Sequence, residues 1–305
     1  MARFLTARLL HSALVIVGVS FLVFALVHLG GDPAVVLMPL EATPEEVEAF
    51  RVDNGFDKPF LVQFEHFAVK AVHGDFGTSL RHQRPAMEVV LEALPATARL
   101  GGLALLMSVL FAVPLGVLAA VKRGTWIDSL TNVLGLLGQS VPTFWLGLVL
   151  MMLFGVHWRL LPVSGAGGLK HLIMPGITLA AYSGALIMRL LRSSMLEVLT
   201  KDFLRTARSK GLPERTVLYK HALRNAAIPV VTIIALRIGP MLGGALITEE
   251  VFAYPGMGRL AMNAISNRDV PVIQAFVFVI GIAIVLSNLI VDLAYVALDP
   301  RIRYS

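Results

Sequence analysis

Apolar residues in this chain gather in runs as long as a bilayer core is thick. A helix rising about 1.5 Å per residue needs about 20 of them to cross the hydrocarbon. Six runs qualify: residues 9–29, 100–121, 130–156, 172–188 with room to extend upstream, 226–247 and 272–298. Arg237 interrupts the fifth, and Asn288 and Asp292 lie near the end of the sixth. The first run follows Arg3 and Arg8, exceeds a signal-peptide core and has no small-residue cleavage site after it, so an uncleaved span is expected. The pattern predicts an all-α membrane protein with six transmembrane helices.

Between the first two runs, residues 30–99 carry helical rather than membrane patterning. Thr43 stands as an N-cap before Pro44 and the acids Glu45 and Glu46, which predicts a helix over 43–50. Residues 60–72 follow as an amphipathic segment with Phe60, Phe64 and Phe67 on one face, and 74–79 (GDFGTS) reads as a turn. No independent core is evident, so this layer is expected to rest on the mouth of the spans. Spans two, three and five carry Pro114 and Gly116, Gly138 and Pro142, and Pro240, Gly243 and Gly244. These are either the ordinary composition of membrane helices or sites of close contact and kinking around a pathway.

At 56% hydrophobic and 15% charged, the chain has too little polar surface to cover a soluble globule. Its +6 charge flanks the apolar runs instead of pooling on one face, which fits anionic lipid better than nucleic acid. With no cysteine, disulfides, thiolate metal sites and a cysteine nucleophile are excluded. Residues 30–98 hold 5 basic and 11 acidic side chains, whereas residues 189–224 hold 9 basic and 3 acidic. The bias of lysine and arginine toward the inner face places 189–224 and both termini in the cytoplasm. The organisation expected is a cytoplasmic terminus at 1–8, a span at 9–29, an external segment at 30–99, and a core of five spans at 100–305.

The basic segment 197–229 is the chain's most distinctive stretch. Over 198–210 Leu199, Phe203 and Ala207 recur at helical spacing as an apolar stripe, with Lys201, Arg205, Arg208 and Lys210 off it. Gly211 is placed to end that helix and Pro213 to begin another, reaching about residue 224. Two short helices joined at Gly211 make a knob too small for its own core, so its stripe needs a dock.

The run FLRTARSKGL at 203–212, followed by HALRNAAIP at 221–229, resembles the EAA loop of ATP-binding-cassette importer permeases. The first (B-type) membrane subunit of the dipeptide, oligopeptide, glutathione and nickel branch is the nearest likeness. Further matches fall in order along nearly the whole chain: Gly31, Asp32 and Pro33, with Gly30 where that branch has proline; GDFGTS at 74–79; Ser140, Val141, Pro142 and Phe144; EEVFAYPGMGRL at 249–260; and NLIVDLAYVALDPRIRY at 288–304. Arg205 and Thr206 depart from the general loop pattern as that branch does.

The resemblance implies the type I importer permease fold in a bacterial or archaeal inner membrane. It also implies a second homologous permease subunit, two ATPase subunits and an external solute-binding protein. The chain has no G-x-x-x-x-G-K-[ST] phosphate loop, so no cofactor is expected on it, and ATP with magnesium is expected on the partner ATPases. By resemblance, Leu199, Phe203, Arg205, Thr206, Ala207, Lys210, Gly211 and Leu212 carry the ATPase-coupling surface. The cargo stays open among dipeptides, longer peptides, glutathione and metal chelates.

Arg237 lies mid-span and must face protein or water. It either pairs with Asp292 or a carbonyl, or lines the pathway and meets a substrate carboxylate. His66, His73, His82, His157 and His171 form no metal-binding pair pattern, so no metal site is expected. Ser183 beside Gly184 lacks the setting of a catalytic serine, and no catalytic residue is assigned. A self-sufficient ion-coupled transporter is the competing class; it calls for intramembrane acids and inverted repeats, of which only Asp292 is visible.

Overall fold

The computed structural model describes residues 2–29, 31–38 and 41–298, and its contacts divide the chain into two compact units. The first comprises Met1–Thr97 with Pro255–Leu286, and the second Ala98–Tyr254 with Ser287–Ser305.

The first unit is built on α1 (Ala2–Leu29). Asp32 caps the short α2 (Pro33–Leu37) by accepting from the Ala34 N–H at 3.0 Å, and its other oxygen pairs with Arg51. Helix α3 (Pro44–Asp53) starts at the expected threonine with a closed capping box. The Glu46 N–H donates to Thr43 Oγ1 at 3.3 Å and the Thr43 N–H to Glu46 Oε2 at 2.8 Å. Helix α4 (Phe60–Val72) sets Phe60, Phe64 and Phe67 against Phe21 and Phe24 of α1, with ring centroids 5.1 to 6.2 Å apart. Each such pair contributes about 0.5–1.5 kcal/mol beyond burial, which is how a layer without its own core is held to a span.

Two glycines at positive φ, Gly74 and Gly77, shape the turn after α4. Ser79 then donates to Asp269 Oδ2 at 2.5 Å and the Leu80 N–H to Oδ1 at 3.3 Å. Asp269 sits between α12 (Met257–Ser266) and α13 (Val270–Leu298). Helix α12 is amphipathic, not membrane-grade, so no long apolar run marks it in the sequence. Its Met257 and Ala264 are buried with Phe76, Val90, Val272 and Phe278.

The second unit holds most of α5 (Ala86–Val121), with α6 (Trp126–Ser140), α7 (Thr143–Leu150), α8 (Lys170–Val198) and α11 (Leu223–Val251). Helix α5 begins well before the expected span, so residues 86–99, read as external segment, form its first turns. The third run is not one straight span. Helices α6 and α7, with the π-helical turn Met151–His157 that continues α7, meet at 107°. Pro142 causes the break: it drives Val141 out of helical geometry, to φ −76° and ψ 123°, and cannot donate back to the preceding turn. Among the described residues, five single helices are long and apolar enough to span a bilayer, six with the bent pair counted once.

Helix α8 is the packing centre of this unit, against α6, α7 and α11. A Cβ at Gly116 of α5 would lie 2.9 Å from the Met188 carbonyl oxygen, and one at Gly138 of α6 2.9 Å from Ala185 Cβ. These glycines let backbones approach closely, the second of the two sequence readings. At Gly243 in α11 nothing lies within 4 Å, so close packing does not account for that glycine.

Candidate functional site

The basic segment differs from its sequence reading in one respect that matters. Helix α8 runs to Val198, the chain turns at 199–201, and α9 (Asp202–Ser209) starts afresh with Lys201 as N-cap. With its phase reset by that turn, the helix buries Leu204 with Ala207, so that of the expected Leu199–Phe203–Ala207 stripe Phe203 alone turns away from the core. Leu204 is fully buried with Leu191 and Met195 of α8 and Val217, Ala222, Ala226 and Val230 further on, and Leu199 packs on the same cluster. The dock for the knob is therefore the chain's own core. Phe203 is left 43% exposed and Leu212 37%, two apolar side chains facing out among exposed Arg205, Thr206, Lys210 and Gly211.

Gly211 has φ +75°, in the left-handed region that stops a helix. Its N–H donates to the Arg208 carbonyl at 2.9 Å, and Leu212 reaches back to Ala207 at 3.4 Å. Across the turn, Arg208 Nη2 donates to Glu214 Oε1 at 2.9 Å and Nε to Oε2 at 3.2 Å. Beyond Pro213, α10 (Glu214–Thr216) and a π-helical segment (Val217–Ala222) lead without a break into α11. The second helix of the knob is thus the start of span five, continuous with it from Glu214 onward. Nothing in the spacing of Arg208 and Glu214 distinguished them from other loop charges; only the turn brings them together.

A second ion pair sits deeper. Arg192 of α8 donates to both oxygens of Asp128 on α6, Nε to Oδ1 at 2.6 Å and Nη2 to Oδ2 at 2.9 Å. The Gly124 N–H and the Asn132 amide complete the carboxylate's shell at 3.1 and 3.0 Å. The sequence carried only a faint signal for this pair, an acid just before the third run and two arginines just after the fourth, with nothing to say which of the two it meets. Arg189, one turn earlier on α8, donates to Gln139 at 3.2 Å.

Arg237 is the central residue of α11, about 21 Å from either end. A cation at that depth costs on the order of 2.5–3.5 kcal/mol on insertion scales. Its Cζ lies over the Tyr182 ring of α8, 5.1 Å from the centroid, a contact worth about 0.5–2 kcal/mol. Among the described residues no carboxylate lies within ion-pair distance of it. The expected alternative partner Asp292 has its side chain outside the described part of the structure, as do Gly30 and residues 299–305 of the matching motifs. Of the histidines, His73 bonds the Val69 carbonyl at 2.8 Å, while His28 of α1 meets Gln63 at 2.9 Å.

Residues 112–304 match the model of the binding-protein-dependent transport system inner membrane component, and residues 1–101 match the N-terminal model of such membrane components. The chain is 39% identical to the dipeptide transport system permease protein DppB of Escherichia coli K12, covering all of this chain and 99% of that protein. It is 41% identical to the glutathione transport system permease protein GsiC of Salmonella typhimurium LT2, over the full length of both. The crystal structure of an amino acid ABC transporter with histidines shares the fold at a TM-score of 0.54 and 16% identity, covering 68% of this chain and 92% of that one. The chain is thus a multi-pass inner-membrane protein, and it belongs to the family of inner-membrane permease subunits of ATP-binding-cassette importers.

Proposed function

We propose that this chain forms half of the translocation pathway of an ATP-driven importer of peptides or similar small solutes, and that 197–229 is where separate ATPase subunits engage it. ATP and magnesium bind on those ATPases, a second permease subunit supplies the other half of the pathway, and an external solute-binding protein delivers the cargo. The observation that carries the reading is the split of α9: Leu204 and Ala207 anchor it in the chain's own core while Phe203 and Leu212 point outward. A helix rigidly anchored on one face and apolar on the other suits transmission of force from a partner. The continuous helix from Glu214 into α11 suits delivery of that force to a span. The peptide class of cargo is supported by the dipeptide and glutathione permeases to which the chain is similar. Arg237 is assigned to the pathway, since a mid-span cation disfavours lipid.

Uptake by proteoliposomes holding this chain with its ATPases, second permease and binding protein tests the proposal. Uptake is expected only with ATP and the complete set of subunits. Ion-driven uptake by this chain alone would replace the proposal with a secondary transporter.

A further inference from the structure

Arg237 has a contact, but not one that uses its hydrogen-bonding capacity. The guanidinium carries five N–H donors in a planar fork. The π face of Tyr182, 5.1 Å from Cζ, meets the charge without accepting those protons. Among the described residues no carboxylate, carbonyl or amide oxygen accepts from Arg237. Tyr182 is 42% exposed, so the pair opens to space not filled by this chain. Lipid is a poor occupant of that space, because it would leave the fork unsatisfied at the centre of the bilayer.

We propose that Arg237 and Tyr182 form a mid-span station selective for solutes bearing a free carboxylate, such as the C-terminus of a short peptide. The proposal rests on the reading of this chain as a peptide-class permease and adds to it the chemical group read within the membrane. The tyrosine face holds the guanidinium while the station is empty, and the fork then takes both oxygens of the passing carboxylate. A point charge would attract the same group, but the planar fork matches its geometry. Because the tyrosine contact is weak and non-directional, the carboxylate is exchanged instead of trapped.

The test compares uptake of a dipeptide with that of its C-terminal amide, in proteoliposomes of the complete importer with the same solute-binding protein at saturation. The binding protein's own preference is common to wild type and variant, so it cancels when their carboxylate-to-amide ratios are compared. Arg237→Gln is expected to lower the ratio by about tenfold or more, the size of effect a charge-assisted hydrogen bond carries. Arg237→Lys is expected to keep part of the preference, and co-purification of the subunits checks that both variants assemble. An unchanged ratio in Arg237→Gln, with both cargoes slowed alike, would overturn the station and assign the arginine to pairing with protein. Equal uptake of carboxylate and amide by wild type would overturn the station alone. No uptake of either by wild type would overturn the peptide-class reading together with the station.

Discussion

Gly211 is the residue on which the coupling account can be tested most sharply, because its role is conformational and not steric. Its φ of +75° places it in the left-handed region, and a Cβ built there would meet nothing within 4 Å. Any effect of a larger side chain must therefore come from backbone strain. A residue with a Cβ costs roughly 1–2 kcal/mol in that conformation, with β-branched residues at the upper end or beyond and asparagine much less penalised. The opposing interactions set where the strain is relieved. Leu204, fully buried, holds α9 with a side chain whose truncation costs about 2–5 kcal/mol. The Arg208–Glu214 pair is exposed at 43% and 56%, and pairs of that kind contribute about 0–1 kcal/mol. Gly211→Val should therefore leave α9 docked and open the turn. A shift of 1–2 kcal/mol changes the population of the native turn by about 5–30-fold. In the reconstituted importer, cargo-stimulated ATP hydrolysis and uptake are expected to fall together in Gly211→Val and to stay near wild type in Gly211→Asn. Full coupling in the valine variant would refute the role of the bend. Equal damage by valine and asparagine would refute the conformational mechanism, since both fill the same open space but only one is strained.

The split of α9 gives two opposite expectations. Leu204→Ala should cost about 2–5 kcal/mol and lower the thermal midpoint of the purified subunit, whereas Phe203→Ala should leave that midpoint in place and weaken retention of the ATPase subunits on an affinity column. Asp128→Asn removes the carboxylate partner of a partly buried Arg192, so a loss of about 1–3 kcal/mol is expected, and the reciprocal Asp128→Arg with Arg192→Asp should recover part of it; denaturation midpoints of the single and double variants decide. The N–H and hydroxyl of Thr43 hold the Glu46 carboxyl below the usual glutamate range. A lowered pKa makes the capping box stabilising above the unfolded-state value and progressively lost as pH falls through the folded one. Amide exchange in α3, corrected for its intrinsic pH dependence, should accelerate over that acidic window in the native chain, and Thr43→Ala, which removes the hydroxyl but keeps the N–H that donates to Glu46, should shrink the step without abolishing it.

Six apolar segments, the capped α3 and the phenylalanine face of α4 were legible in the sequence because each depends on periodicity or on residues a few positions apart. The 107° bend was less legible, although Pro142 announced a break, since hydropathy is blind to direction. Helix α12 escaped because its apolar face is short and its partners, Phe76 and Val90, lie far away in the chain. At the candidate site, Gly211 as a helix stop was readable from the left-handed preference of glycine. The facing of α9 was not. Three turn residues at 199–201 reset the helical phase, and which side chain then points inward depends on where the core of α8 and α11 lies.

Membrane character, the basic loop and its bend were determined by the sequence alone, because bilayer burial and backbone preference act on local composition. Tertiary structure decided that Leu204 rather than Phe203 anchors the loop, that Asp128 meets Arg192, and that Arg237 rests on a tyrosine. Those are contacts between residues on different helices. Their existence depends on helix phase and crossing, which no single segment encodes.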